Sequence, residues 1–422
     1  MRKSLRPLRL PGFRQLASAY TVNELGNWVG EIALAVLVYD ETGSPLATAG
    51  LFLGMVFLPS LIGQGVIARL EVVGTRRVLP ALYLGEALVF VALAFTTDNF
   101  SLALVIALAI VDGTLAIAAR TFTRASAAAV LTPSGQLREG NAIINVGFTI
   151  AGAAGPAIAG LVVAALGVQT ALLIDAGSFV VVALMLAVTA SLPQVRGEAQ
   201  PWFSRLREGL VYVRNRAVLV RLMAMQGLAF VFFTLVLPIE IVYVKETLDA
   251  GDSGYGALLS SWGIGMVAGS LVFVAVARRV AIQAQLLVST AMIGGAYLAM
   301  AAAGTLPVAC VAAAIGGLGN GVQWVALMSA VQELTASRYQ ARVVGLLESI
   351  GRIMPGVGFI LGGVIAELLS PRASFVAAGL GALGVLLVAV PLLRSADWRP
   401  EPEAHVVPDP VPGADAPTLS QG

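Results

Sequence analysis

About twelve runs of roughly 18 or more mostly apolar residues, separated by short polar connections, constrain this chain more than any other feature. They fall near 13–39, 46–68, 78–97, 101–123, 141–166, 170–191, 218–244, 254–277, 283–303, 306–332, 343–368 and 373–393. A soluble protein carries about 25% charged residues, whereas this chain has 12% charged and 58% hydrophobic. Most of its surface must therefore face lipid or other helices. Because lipid offers the backbone no hydrogen bonds, the expected fold is an all-α membrane protein of twelve transmembrane helices.

Most of the charge sits in the connections, and its sign alternates. Arg2, Lys3, Arg6, Arg9 and Arg14 precede the first span, Arg76 and Arg77 follow the second, and Arg196, Arg205, Arg207, Arg214 and Arg216 fill the middle. The opposite loops carry Asp40, Glu41, Asp98, Glu246, Asp249 and Asp252, with Lys245 and Arg372 as basic exceptions. The positive-inside rule then places both termini in the cytoplasm and the chain as a multi-pass protein of the cytoplasmic (inner) membrane. The basic start, with no small-residue cleavage site after it, reads as an uncleaved signal anchor. A net charge of +2 implies no nucleic-acid partner. A single cysteine, Cys310, and a single histidine, His405, argue against metal centres and thiol catalysis, and hence against an enzyme. No phosphate-binding loop ending in Gly-Lys occurs, so neither ATP nor another cofactor is expected.

The chain also repeats itself. Gly152, Gly155, Pro156 and Gly160 are answered by Pro355, Gly358 and Gly363, and Asp112-Gly113 by Asn320-Gly321. Paired halves are a common plan of secondary transporters. The reading is two pseudo-symmetric six-helix halves, 1–192 and 218–394, joined by a cytoplasmic linker at 193–217 and followed by a disordered, proline-rich tail at 395–422. Within the linker, Trp202, Phe203, Leu206, Leu210 and Val213 recur at helical spacing beside arginines, as in an amphipathic helix lying on the membrane surface. Glycines four apart (Gly50/Gly54, Gly265/Gly269, Gly317/Gly321, Gly358/Gly362) read as close-packed helix faces. Pro156, Pro238 and Pro355 each remove a helical hydrogen bond inside a span.

Several motifs together resemble the major facilitator superfamily, in its drug-efflux and enterobactin-exporter-like branch. They are Thr42-Gly43-Ser44 with Gly50-Leu51, Asp112-Gly113, Asn141-Ala142 leading to Gly155-Pro156, Asp175-Ala176-Gly177-Ser178-Phe179, Gly209, and Ala341-Arg342-Val343 before Gly362-Gly363. The resemblance implies that the first, fourth, seventh and tenth spans line a central cavity. It also implies that the loop after the second span helps to switch conformations. Here that loop is a degenerate copy, with Glu71, Gly74, Arg76 and Arg77 but Ile67 at its first glycine position. Gly155-Pro156 partly matches a fifth-span motif associated with export by antiport.

An ionised side chain in mid-membrane costs several kcal/mol unless it is paired, hydrated or neutralised, so each acid inside a span is a functional candidate. On the first span Glu24, Asn27 and Glu31 share a face. A carboxylate in such a cavity can hold a proton and release it when the cavity opens to water, which makes Glu24, Glu31 and Asp112 the proton-coupling candidates. The alternative for each is a structural carboxylate bonded to a neighbouring helix. Glu86 and Asp175 read as structural, and Glu348 and Arg352 as a mutually neutralising pair; Arg120 and Arg124 could pair with a carboxylate or bind an anionic substrate, with snorkelling to the interface the favoured reading for both. Substrate contacts are expected from Asn27, Gln226, Glu240, Asn320, Gln323 and Trp324, opposite Phe230 and Phe233.

These readings converge on a monomeric secondary transporter that exports a small organic or amphipathic compound, with protons, the substrate and the bilayer as its partners. Two alternatives stay open: export or import of a siderophore or lysolipid by the same fold, and a membrane sensor or scaffold that transports nothing.

Overall fold

The computed structural model describes residues 6–70, 73–189, 202–276, 279–336, 339–393 and 398. Its long elements are helices, named here α1 (Pro11–Thr42), α2 (Pro45–Leu70), α3 (Thr75–Phe95), α4 (Leu102–Leu131), α5 (137–166) and α6 (168–187). They continue as α7 (Trp202–Arg214), α8 (Ala217–Thr247), α9 (Asp252–Val276), α10 (Ile282–Ala302), α11 (Leu306–Glu333), α12 (Gln340–Leu368) and α13 (Pro371–Leu393). Among the described residues, nine helices are long and apolar enough to cross a membrane, the α5–α6 stretch counting as one of them. These boundaries follow the apolar runs closely. The main difference is α4, which continues beyond residue 123 to Leu131.

Local chemistry explains the ends. Gly43, left-handed with φ 60°, closes α1 by donating its N–H to the carbonyl of Tyr39. Ser44 then caps α2, its hydroxyl accepting from the Ala47 N–H, and Pro45 starts the helix where no donor is needed. Pro238 interrupts α8: the helix tightens to a 3-10 turn at Leu237–Ile239, resumes at Glu240 and widens to a π segment at Tyr243–Thr247. A second π segment, Leu53–Phe57, lies inside α2. Pro156 and Pro355 sit within helices that continue past them.

α5 and α6 are separated only by Gly167, at φ 80° and ψ 164°, a conformation open to glycine and strained for other residues. The contacts show that the chain reverses there. Gly147 meets Thr21 and Gly155 meets Trp28, so α5 runs parallel to α1. Gly26 meets Ser178 and Gly30 meets Asp175, so α6 runs antiparallel to it.

Paired glycines hold the later helices together. Gly265 and Gly269 of α9 press on the backbone of Ala314 and Leu318 in α11, while Gly317 and Gly321 of α11 press back on Trp262 and Met266. Gly358 and Gly362 bring α12 against Val231 and Leu235 of α8 in the same way. Gly50 and Gly54 face Ile106 of α4 less tightly. Contacts also join early helices to late ones: Gly152 and Gly160 of α5 abut Gly263 and Gly256 of α9, and Phe52 of α2 packs on Phe359 of α12 with ring centroids 5.7 Å apart.

The linker helix α7 docks on protein. Gly209 lies against the backbone of Arg342, Tyr212 stacks on Tyr339 with centroids 4.2 Å apart, and Glu208 pairs with Arg342 at 2.9 Å. A cleft of about 710 Å³ lies between them. The expected apolar stripe is split, since Val213 is buried within the protein whereas Leu210 is 54% exposed. The side chains of Trp202, Phe203 and Leu206 fall outside the described residues, as does the 399–422 tail.

Candidate functional site: buried carboxylates of α1, α3, α4, α6 and α8

The polar face of α1 meets α4 as a two-rung ladder. Tyr20 and Glu24 are one helical turn apart, and so are Arg120 and Arg124. Glu24, 4% exposed, lies with Oε1 at 3.2 Å from Arg120 Nε. The contact is charge to charge rather than an aligned hydrogen bond. One turn on, Arg124 stands over the Tyr20 ring at 6.0 Å and donates from Nη2 to its hydroxyl. The expectation that both arginines snorkel to the interface is therefore corrected: facing groups at matched spacing on α1 engage them.

Arg120 is the cation on which this region depends. Its charge acts on Glu31, Glu86 and Asp112 as well as on Glu24. One guanidinium cannot neutralise four carboxylates. Asn23, buried beside Glu24, leaves Oδ1 without a hydrogen-bond partner. Asn27 and Glu31 are half-buried on the same helix.

Across from Glu31 lies Glu240, which interacts with it electrostatically. Glu240 is 5% exposed and its Oε2 has no hydrogen-bond partner. The break at Pro238 puts it there, because the helix restarts at Glu240. Beside it runs a chain of rings: Phe233 on Trp262 at 5.8 Å, Trp262 stacked on Tyr297 at 5.4 Å, and Tyr297 against Phe375. The Trp262 indole N–H has no partner.

The other proposed substrate residues scatter. Gln226 is buried, Asn320 is half-buried, and Trp324 is 44% exposed on α11. Gln323 is half-buried, its amide nitrogen donating to Thr290 of α10 at 2.9 Å and tying the two helices together. Glu348 and Arg352 do not pair, and Glu348 is exposed. Phe233 packs into the ring chain and Phe230 packs on Gly351.

Of the switch loop, Glu71 lies outside the described residues. Gly74 starts α3 at φ 91°, a value that explains the glycine, and Arg76 and Arg77 are exposed. Gly155 receives the Trp28 ring, where a Cβ would lie 2.5 Å from Cδ1, and the Pro156 carbonyl faces Gly256 of α9.

The sequence reading missed a set of polar links at one end of the helices. Lys245 pairs with Asp40 and with Asp252 at 2.8 Å, Tyr39 donates to Glu246, and Ser44 donates to Glu367. A signal was present: Lys245 and Arg372 were the two basic residues on otherwise acidic loops. Arg372, too, is engaged, donating to the Ala303 carbonyl at 3.0 Å.

The fold matches solved transporters at low identity. A bacterial homologue of the iron transporter ferroportin, in an inward-facing state, gives a TM-score of 0.72 at 13% identity, covering 92% of this chain and 99% of the other. The nucleoside transporter NupG gives 0.70 at 13% identity, with 91% and 99% covered. Among sequence relatives, the multidrug efflux pump Tap of Mycolicibacterium fortuitum is 28% identical over 394 residues, 89% of this chain and 95% of the pump. Tap of Mycobacterium tuberculosis is 30% identical over 270 residues, so the match spans 62% of that pump's length and 62% of this chain. Residues 2–412 match the transmembrane secretion effector family. With the helical fold and these relatives, the chain belongs to that family of major facilitator superfamily membrane transporters.

Proposed function

We propose that the chain is a twelve-crossing secondary exporter of small organic or amphipathic compounds, driven by inward proton movement through alternating access. The count follows from splitting the α5–α6 stretch at Gly167 and adding α1 and α13 to the remaining long helices. The two six-helix sets, 1–192 and 218–394, then rock about a shared site, with both termini in the cytoplasm.

One observation carries this reading: Arg120, the cation of the α1–α4 ladder, is the ion-pair partner of Glu24, while Glu31 on the same face and Glu240 opposite it have no ion pair among the described residues. Such an excess of acid makes the charge of the cavity wall depend on proton binding. A proton that binds the inward- and outward-facing states unequally shifts the balance between them. Glu240, opposite Glu31, adds an acid that a substrate can meet, with Asn27, Gln226, Asn320 and Trp324 as further contacts. The polar links among Tyr39, Asp40, Lys245, Glu246 and Asp252 support a state closed at the outer end. The relatives named multidrug efflux pumps favour export of drug-like compounds over the siderophore or lysolipid reading.

The test is substrate-driven proton flux in vesicles for wild type, Glu24→Gln and Glu31→Gln. The expected result is flux in wild type and its loss in at least one variant, and unchanged flux in both sinks the assignment. Accumulation of dyes, antibiotics and siderophores in cells lacking their own efflux pumps identifies the cargo and its direction.

A further inference from the structure

Where α3, α4 and α6 pack together behind α1, with Phe179 of α6 against Tyr83 and Phe90 of α3 and Leu115 of α4 against Gly85, lie three more acids. They are Glu86 of α3, Asp112 of α4 and Asp175 of α6. Glu86 and Asp175 are completely buried. Neither Glu86 oxygen has a hydrogen-bond partner, and Asp112 Oδ1 and Asp175 Oδ2 lack one too. The donor present is the Ser178 hydroxyl, 3.0 Å from Asp175 Oδ1. The charged groups acting on Glu86 are Asp112, Asp175, Arg120 and Glu24, and Tyr83 lies beside it.

A purely structural acid would tie helices together, as the Tyr83 and Thr123 hydroxyls do between α3 and α4 at 3.2 Å. Glu86 ties nothing. Three neighbouring carboxylates with unpartnered buried oxygens, and with the nearby arginine already on Glu24, cannot all be ionised without a desolvation cost of several kcal/mol each. A proton on one of them removes that group's share of the cost.

We propose that Glu86, Asp112 and Asp175 form a second proton-binding site, held in the core of α3, α4 and α6 and separate from the cavity face of α1. On binding, a carboxylate oxygen forms an O–H bond to a proton delivered from water. On release, that bond breaks, its electron pair stays on the oxygen, and the proton returns to water. The site reaches the cavity helix directly, because α1 carries a notch for it. A Cβ at Gly26 would overlap Asp175 Oδ1 and Ser178 Oγ, and one at Gly30 would overlap Asp175 Oδ2. The carboxyl group of Asp175 thus sits on the backbone of the helix that bears Glu24, Asn27 and Glu31, and its charge state alters how α1 packs.

The proposal rests on the proton-coupled reading above and has a readout that does not need transport. Infrared difference spectra of the full chain in lipid, titrated with acid and base without substrate, report protonated carboxyl groups. A Glu24→Gln/Glu31→Gln/Glu240→Gln background removes the cavity acids from the signal. The expected result is a protonated-carboxyl band at neutral pH in that background, with loss of part of it in Glu86→Gln and again in Asp175→Asn. A band unchanged in both variants, each eluting as a single folded species, overturns the site. Should neither variant fold, the background alone decides, since absence of the band at neutral pH overturns it equally. In vesicles, the proton-to-substrate ratio should fall in Glu86→Gln. Wild-type transport indifferent to a proton gradient would instead remove the function proposed above, while the infrared band still judged the site.

Discussion

Helices α1, α3, α4 and α6 pack around buried acids, whereas α9 and α11 pack through glycine. Among the buried groups of the first set are Glu24, Glu86 and Asp175, with Arg120 on Glu24. In α9 and α11 the helices meet backbone to backbone through four glycines, and Trp262 and Tyr297 stack alongside. Such a glycine lock is rigid and indifferent to pH. On the proton-coupled proposal, the early helices sense protons and the late ones move as a stiff body.

The sharpest way to break this comparison is to pry open the lock. A side chain at Gly317 would overlap the Trp262 carbonyl, and overpacking costs about 1–3 kcal/mol even where neighbours can adjust. Gly317→Leu should therefore abolish a monodisperse species in size-exclusion chromatography. Gly295→Ala, which meets open space, should leave the melting temperature unchanged, and equal damage from both would show that the lock is not special.

Next in size is Glu24→Gln, which leaves Arg120 without its closest partner. The fold should survive, because glutamine keeps the volume and its amide oxygen can still accept a hydrogen bond from the guanidinium. Vesicle transport should fall by roughly tenfold or more, about 1.4 kcal/mol in the transport barrier. The Glu24→Gln/Arg120→Gln double variant should show non-additivity if the two groups act as a pair.

Gly74→Ala should cost about 1 kcal/mol in thermal stability, because alanine is strained at φ 91°. The smallest effect belongs to the end links. Removing Lys245 (Lys245→Met) breaks two partly exposed pairs, worth up to about 1 kcal/mol each. Spin labels on Leu46 and Leu369, both exposed, should report a few-fold gain in a longer-distance population, and no change would mean that the links do not hold that end shut.

The spans were legible in sequence because a bilayer sets a minimum apolar length, and because Gly43, Ser44 and Pro45 mark helix ends by local chemistry. The glycine pairs were legible for the same reason, since their spacing lies within one helix. Pairings between helices were not. Nothing near Arg120 in sequence announces Glu24, and the Gln323 side chain reads as available until Thr290 is placed beside it. Glu86 and Asp175 read as structural in sequence because sequence shows an acid but not whether its oxygens find partners.

The single-residue joint at Gly167 has a mechanical consequence. α5 rests on α9 of the stiff body through Gly152 and Gly160, and α6 carries Asp175 into the notch of α1. With no loop between α5 and α6 to take up slack, a tilt of α9 is passed as through a bent lever to the carboxyl group at the other arm. Lengthening that joint would leave every contact surface intact and disconnect the lever.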